Sequence, residues 1–258
     1  MVESWEKLLG TLSAQELELW TEPAKYYEAM NEKWNSLSAA KCIDWDSYLN
    51  GDRLRVLDLG AGTGWLSIML SNCERIEKIY ALDASSSNLG QILPELSKLM
   101  DGKLEKIAPI LGLFTPILTD DDYFDLAVAS AAMHHAPDLA ECLAEVHRVV
   151  KPGGFLLILN EQPISSFRYA MIAAVRCAKI MRALIFKRWQ AVAKPVSENN
   201  VVTDPILGDK AYCSWQWKSA IEAAGFSFQA FKTPYYPYQN MKGQQRTKLT
   251  HFIAKKEI

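Results

Sequence analysis

The sequence predicts an α/β protein, a doubly wound sheet that is mostly parallel and ends in an antiparallel C-terminal hairpin strand. Three observations carry this. From residue 54 onward short apolar runs alternate with segments of helical periodicity, the rhythm that builds a parallel sheet because a right-handed crossover must return over it. A glycine-rich turn, Gly60-Ala61-Gly62-Thr63-Gly64, follows the first apolar run. The chain has 258 residues, 49% hydrophobic and 22% charged, an ordinary globular composition with ample length for a large core.

Residues 3–49 read as helical. Leu8, Leu9, Leu12, Leu17, Leu19 and Trp20, then Tyr26, Tyr27, Met30, Trp34 and Leu37 after Pro23, recur at roughly helical spacing. Residues 1–50 are therefore expected to form a helical cap on a domain spanning 51–258. Asn50-Gly51-Asp52 is a turn signal. Leu54–Leu59 is a short strand, the glycine turn is its exit, and a helix follows over Trp65–Ser71. Lys78–Asp83 is the second strand. Ser85–Met100 is the second helix, N-capped by a serine and kinked or shortened by Pro94. Leu104–Ile110 is the candidate third strand, and Tyr123–Ser130 a buried fourth. Pro137–Val150 reads as a helix, and Lys151-Pro152-Gly153-Gly154 as a turn into the strand Phe155–Asn160.

A helical insertion, residues 163–210, then interrupts the rhythm. From Gln162 to Ser197 there is no acid, while Arg168, Arg176, Lys179, Arg182, Lys187, Arg188 and Lys194 alternate with apolar residues, so 163–194 reads as a basic amphipathic helix or helix pair. A polar linker, Ser197–Asp204, follows. The chain resumes with a helix over Ser214–Ala224 that Gly225 stops. Strands at Phe226–Lys232 and Leu249–Lys255 are joined by an aromatic loop and read as an antiparallel hairpin at the sheet edge.

Composition excludes several classes. A formal charge of −2 argues against a general nucleic-acid binder, which needs a basic excess to displace counterions from phosphates. The longest run without a charged residue, Leu59–Cys73, is too short and glycine-broken to span a bilayer. The N-terminus carries two early acids and no apolar core of signal-peptide type, so a cytoplasmic location is expected. Five cysteines without a CxxC pair encode neither a disulfide framework nor a zinc site, and no metal is expected.

Chemistry concentrates in Val56-Leu57-Asp58-Leu59-Gly60-Ala61-Gly62-Thr63-Gly64. Glycines at alternate positions let the backbone turn sharply and approach a ligand, and the next helix offers free amide donors. A carboxylate just before such a turn repels a pyrophosphate and attracts a cationic group. Asp83, nineteen positions after Gly64, is placed to accept the hydroxyls of a ribose. A dinucleotide fingerprint fits worse, because the position of its third glycine is Trp65. The expected ligand is a nucleoside with a cationic tail.

These segments, with YALDAS and FDLAVASAAMHHAPDLAECLAEVHRVVKPGGFLLI, resemble the class I S-adenosylmethionine-dependent methyltransferases, a Rossmann-like fold, and most closely the type 11 branch of quinone, sugar and small-metabolite enzymes. The resemblance covers roughly residues 54–160 and continues more weakly over 212–256. It implies S-adenosylmethionine as cofactor, with Asp58, Gly60, Ala61, Gly62 and Gly64 at its amino-acid end, Asp83 on its ribose, Ala84, Ser85 and Leu113 beside the adenine, and Ser130 facing the sulfonium. The family often has an acid or polar residue after the third strand. Here that stretch is Leu111-Gly112-Leu113-Phe114, so either a backbone contact serves or one of Asp120, Asp121 and Asp122 is recruited.

Methyl transfer is an in-line displacement in which positioning does much of the work, and a general base is needed only if the acceptor must lose a proton. His135, or His134 beside it, follows the fourth strand where a substrate-facing loop is expected, and either could instead cap or pack that loop. Tyr26, Tyr27, Glu161 and Tyr235 are further candidates for contact with the acceptor. The chain lacks the Pro-Pro-aromatic motif of adenine N-methylation, the Pro-Cys pair of cytosine C5 chemistry and the paired-Glu loop of arginine methylation. The expected acceptor is thus an O or N atom of a small metabolite or glycan unit, with no nucleic-acid partner. The basic insertion could draw an anionic acceptor, touch an anionic membrane peripherally, or be a solvated face. The alternatives are a non-catalytic nucleotide-binding module acting through its basic helix and an NAD-dependent oxidoreductase.

Overall fold

A computed structural model describes residues 21–185, 201–202, 210–239 and 247–258. The apolar positions before Thr21 and most of the 186–209 stretch, including the greater part of the predicted polar linker, lie outside the described residues. In chain order the elements are α1 (Pro23–Glu32), α2 (Ser36–Ala40), β1 (Leu54–Leu59), α3 (Trp65–Ser71), β2 (Ile76–Asp83), α4 (Leu93–Leu99), β3 (Ile107–Leu111), β4 (Phe124–Ser130), α5 (Leu139–Val149), β5 (Val150–Glu161), α6 (Ser166–Ile185), β6 (Val201–Val202), β7 (Lys210–Ala211), α7 (Ser214–Ala223), β8 (Gln229–Lys232) and β9 (Thr250–Lys255).

Seven strands form one sheet in the order β3-β2-β1-β4-β5-β9-β8. The first five are parallel, and β9 runs antiparallel to both β5 and β8. Both faces are buried, and the strands divide their side chains by twos. Val56, Leu126, Val128, Leu157 and Leu159 point to one core with Leu66, Ile68, Ile79 and Leu96. Leu57, Leu59, Ala127, Leu156 and Ile158 point to the other with Leu143, Val146, Trp217 and Phe252. A period of two with both faces covered explains the near-continuous apolar runs of the central strands.

Several element boundaries differ from the sequence expectation, each for a local reason. The second helix keeps its expected start: the helical run is continuous from Ser86 to Leu99, and Ser85 caps it, its Oγ accepting from Asn88 N–H at 3.2 Å. A wide π-type turn over Asn88–Ile92 interrupts the run just before Pro94, whose missing N–H it accommodates. The third strand begins at Ile107 after a tight turn over Leu104–Lys106, and Pro109 is tolerated within it because β3 is an edge strand. The fifth strand absorbs Lys151-Pro152-Gly153-Gly154 rather than following it. The pairing slips between Phe124 and Leu126, and a Cβ on Gly154 would stand 2.8 Å from the Asp125 carbonyl oxygen. The helix predicted from Pro137 starts at Leu139, since Asp138 caps it by accepting from the N–H groups of Ala140 at 2.8 Å and Glu141 at 3.1 Å.

The N-terminal helices are stitched to the far end of the chain. Asn35 N–H donates to the Pro237 carbonyl at 2.9 Å, Gln239 N–H to the Lys33 carbonyl at 2.9 Å, and Trp34 bridges Tyr238. His251 of β9 meets the Ala39 carbonyl at 2.9 Å. Among the described residues no helix is long and apolar enough to cross a membrane.

Phe252 is fully buried between α7 and the sheet, whereas Phe231 on the edge strand is 40% exposed. Phe252→Ala should therefore cost about 3–5 kcal/mol in urea unfolding, and Phe231→Ala less than about 1 kcal/mol; equal losses would contradict this placement of the core.

Candidate active site

The carboxyl ends of the parallel strands open into one cleft, with a cavity of about 410 Å³, at the point where the strand order reverses between β1 and β4. Gly60, Ala61, Gly62 and Thr63 line it from the end of β1, Asp83, Ala84 and Ser85 from β2, and Gly112, Leu113 and Phe114 from β3. Ser130 ends β4 and Ala131, Ala132 and His135 follow it, while Asn160 lies near the end of β5 and Gln162 just beyond it. Tyr26, Trp34 and Ser36 come from the cap, and Pro237, Tyr238 and Leu249 from the C-terminal segment.

The three glycines of the turn have different physical reasons. A Cβ on Gly60 would stand 2.7 Å from that of Ala132, and one on Gly64 2.5 Å from Leu93 Cδ1, so both allow close packing. Gly62 has φ +55° with nothing within 4 Å of its Cβ position, so it serves the turn's backbone at the cleft. The turn is pinned to β2: Gly60 N–H and Ala61 N–H both donate to the Leu82 carbonyl, at 2.8 and 3.0 Å. Asp83 accepts from Gly62 N–H at 2.8 Å and from Ser85 N–H at 2.8 Å. Burial pushes its carboxyl above the usual range, opposed by those amides and by the nearby His135.

Asp58 occupies a different place from the one expected of it. It does not line the cleft; it is buried under α3, and one carboxylate oxygen accepts from Ser67 N–H at 3.1 Å and Ser67 Oγ at 2.7 Å. Burial pushes its pKa up to about 7, with the Asp83 charge adding to the shift. The carboxylate that faces the cleft is therefore Asp83, and Asp58 anchors the helix behind the turn. Gly64, Tyr27, His134, Glu161 and Tyr235 also lie off the cleft wall. Asp121 and Asp122 precede β4, at the opposite end of the sheet, where they pair with Arg148 at 2.6 Å and Lys256 at 2.7 Å. The wall after β3 is formed by Gly112, Leu113 and Phe114.

Asn160 is the principal residue the sequence did not single out. Its φ is +60°, and Ala131 opposite has φ +48°, a conformation that costs on the order of 1–3 kcal/mol outside glycine and that clusters at functional sites. Asn160 Nδ2 donates to Ser130 Oγ at 2.9 Å and to the Ser36 carbonyl at 3.2 Å, while its Oδ1 is buried with no protein partner. Asn160 N–H donates to His251 Nδ1 at 3.1 Å, which makes Nε2 the protonated nitrogen that reaches Ala39. Burial holds His251 below the ordinary histidine range, in its neutral form. Only an Asn closing an otherwise apolar strand hinted at this role.

A second polar group lies behind the wall. His134 Nδ1 is 2.9 Å from Glu161 Oε2, and the two histidine rings are 4.2 Å apart. Glu161 Oε1 and the Tyr212 hydroxyl are buried without partners.

The cleft fits a cationic nucleoside. Among the described residues Asp83 is the one carboxylate on its wall, and no Lys or Arg lines it. A diphosphate would meet a carboxylate and no countercharge, whereas a positively charged ligand would be stabilised. Known proteins point the same way. Residues 57–158 match the family model described as a methyltransferase domain. A demethylmenaquinone methyltransferase of Leptospira interrogans is 26% identical over 174 residues, 64% of this chain and 68% of that protein. An uncharacterized methyltransferase of Mycobacterium tuberculosis is 35% identical over 116 residues, 45% of this chain and 42% of that protein. In fold the chain is similar to a putative methyltransferase of Bacillus halodurans, with TM-score 0.59 and 14% identity over 86% of this chain and all of that one. Residues 57–158 thus match a methyltransferase domain of type 11, on a fold similar to that of other methyltransferases, and S-adenosylmethionine is the cofactor that this match implies.

The position of Asp58 yields a pH signature. Its folded pKa of about 7 lies above the unfolded value near 3.8, so the folded state holds the extra proton and stability falls as pH rises between the two. A carboxamide at this position cannot ionise, so the stability advantage of Asp58→Asn over wild type should grow from about pH 5 to about pH 7 and then level off. A constant difference across that window in chemical denaturation would show that Asp58 ionises freely.

Proposed function

We propose that the enzyme transfers a methyl group from S-adenosylmethionine to an O or N atom of a small, uncharged metabolite or glycan unit with an apolar or aromatic body. The observation that carries this is the wall of the cleft: beyond the β1 and β2 turns it is built from Trp34, Phe114, Tyr238 and Leu249, with Asn160 and Gln162 as polar contacts and, among the described residues, no cation to pair with an anionic acceptor. The name of the Leptospira relative supports a small-molecule acceptor. The free thiols at all five cysteines support a reducing, cytoplasmic setting. In this reading residues 1–50 act as a cap on the 51–258 domain, since Tyr26, Trp34 and Ser36 complete the cleft.

Gly60, Ala61 and Gly62 would hold the amino-acid end of the cofactor, Asp83 its ribose, Ala84, Ser85, Leu113 and the Gly112 backbone its adenine. When bound, it supplies a methyl group already activated on a sulfonium. Ser130 and Asn160 sit at the junction of the two halves of the cleft, and the unpartnered Asn160 Oδ1 can accept from an ammonium or from the acceptor's own N–H or O–H. Burial pushes the Tyr26 phenol up to about 12, so it stays protonated and can donate. His135 lines the wall and would take the proton that the acceptor loses on methylation. His134 and Glu161 would steady that loop from behind.

Titration calorimetry with S-adenosylhomocysteine should show binding that Asp83→Ala weakens at least about tenfold, in line with the loss of a charged hydrogen-bond acceptor; no binding by wild type would remove the proposal. With a responsive acceptor, His135→Ala should lower turnover about 10²–10⁴-fold while leaving the S-adenosylhomocysteine affinity within about twofold. An unchanged turnover would strip His135 of its role as base.

A further inference from the structure

The geometry of α6 points to a second function. We propose that its outward face docks the enzyme on an anionic phospholipid bilayer.

Most helices on a protein surface turn their apolar side inward. Helix α6 does the opposite along much of its length. Phe167, Met171, Val175 and Met181 are 75%, 54%, 55% and 57% exposed. At 3.6 residues per turn they fall, with the exposed Ala174 and Ala178, within about 120° of the helix circumference. The partly covered residues Tyr169, Ile172 and Ala173 lie on the other side, so the outward side is the more apolar one. Trp215 at the start of α7, 53% exposed, stands 6.0 Å from Tyr169 and extends the apolar surface with an amphipathic ring suited to a headgroup interface.

The charge around this face selects the occupant. The exposed Arg182 falls within the same arc, between Met171 and Val175, and the exposed Arg168 lies about 20° beyond Val175, so basic groups border one edge of the apolar row. The sequence from Gln162 to Ser197 holds seven basic residues and no acid, although the whole chain has a net charge of −2. Helix α6 itself holds four of these, Arg168, Arg176, Lys179 and Arg182, and no acid. An apolar row bordered by basic groups along one edge, on a helix too weakly apolar to span, is the pattern of a helix lying in the interface of a membrane with anionic lipids. Only Pro163, Ile164 and Ser165 separate α6 from Gln162 on the cleft wall, so a membrane under α6 would lie close to the cleft. Docking does not depend on the acceptor reading. If that reading holds, docking gives the cleft access to a lipid-dissolved or lipid-linked acceptor.

Vesicle flotation of the full chain tests the proposal, using vesicles of phosphatidylcholine alone and of phosphatidylcholine with phosphatidylglycerol. Binding to the anionic vesicles should be at least about tenfold stronger and should weaken several-fold as salt rises from about 50 to about 500 mM. Met171→Asp/Val175→Asp should abolish it, and Arg168→Glu/Arg182→Glu should remove the preference for anionic lipid. Both variants should retain S-adenosylhomocysteine affinity within about twofold, which separates loss of docking from loss of fold or of the cofactor site. No binding, or equal binding to both vesicle types, would overturn the proposal. So would a wild-type dimer in light scattering that Met171→Asp/Val175→Asp converts to monomer, since the face would then belong to a second copy of the chain.

Discussion

One carboxylate and two amides organise the cleft. Asp83 accepts from Gly62 N–H and Ser85 N–H, and so ties the turn leaving β1 to the turn leaving β2. Every other feature of the cofactor end follows from holding those turns together. The Leu82 carbonyl receives two more amides from the same glycine turn, Ala132 can pack against Gly60, and Leu93 of α4 against Gly64. The free capacity of Asp83 then faces the cleft as the one carboxylate on its wall among the described residues. That charge decides the ligand class, because in a partly desolvated cleft without a lining Lys or Arg a phosphate is repelled and a cation is stabilised.

A second device organises the cleft at the mouths of β4 and β5, a buried line of hydrogen bonds from Ala39 through His251 and Asn160 to Ser130. It joins the N-terminal helices, β9, β5 and β4, which are distant in sequence. Such a line is stabilising only when its members are satisfied, and a neutral His251 donating from one nitrogen and accepting at the other meets that condition. The atom left over, Asn160 Oδ1, is in the cleft wall, where a ligand can complete it. Strain in Ala131 and Asn160 sits at the same place, at the mouths of the two neighbouring strands β4 and β5.

Under the proposed function, the aromatic loop would border the acceptor side of the cleft. The aromatic loop around Tyr238 is fastened to the N-terminal helices by backbone hydrogen bonds. Helix α6 leaves the same rim with its apolar row outward.

Periodicity and turn chemistry determine most of the scaffold in the sequence itself. The alternation of apolar runs, the glycine turn and the acid ending β2 specify the parallel sheet, its switch point and a nucleoside site, because each depends on residues close together in the chain. The boundaries that shifted, at Ile107 and Val150, are places where a proline or a tight glycine contact changes the local geometry without changing the element. Tertiary structure alone decided which carboxylate faces the cleft. Asp58 and Asp83 both sit at the ends of apolar strands, and only the packing of α3, which buries Asp58 against Ser67, separates an anchor from a ligand-facing group. It also decided that Asn160, Trp34 and Tyr238 meet at one cleft, since they lie on segments more than seventy residues apart that only the insertion of β9 beside β5 brings together.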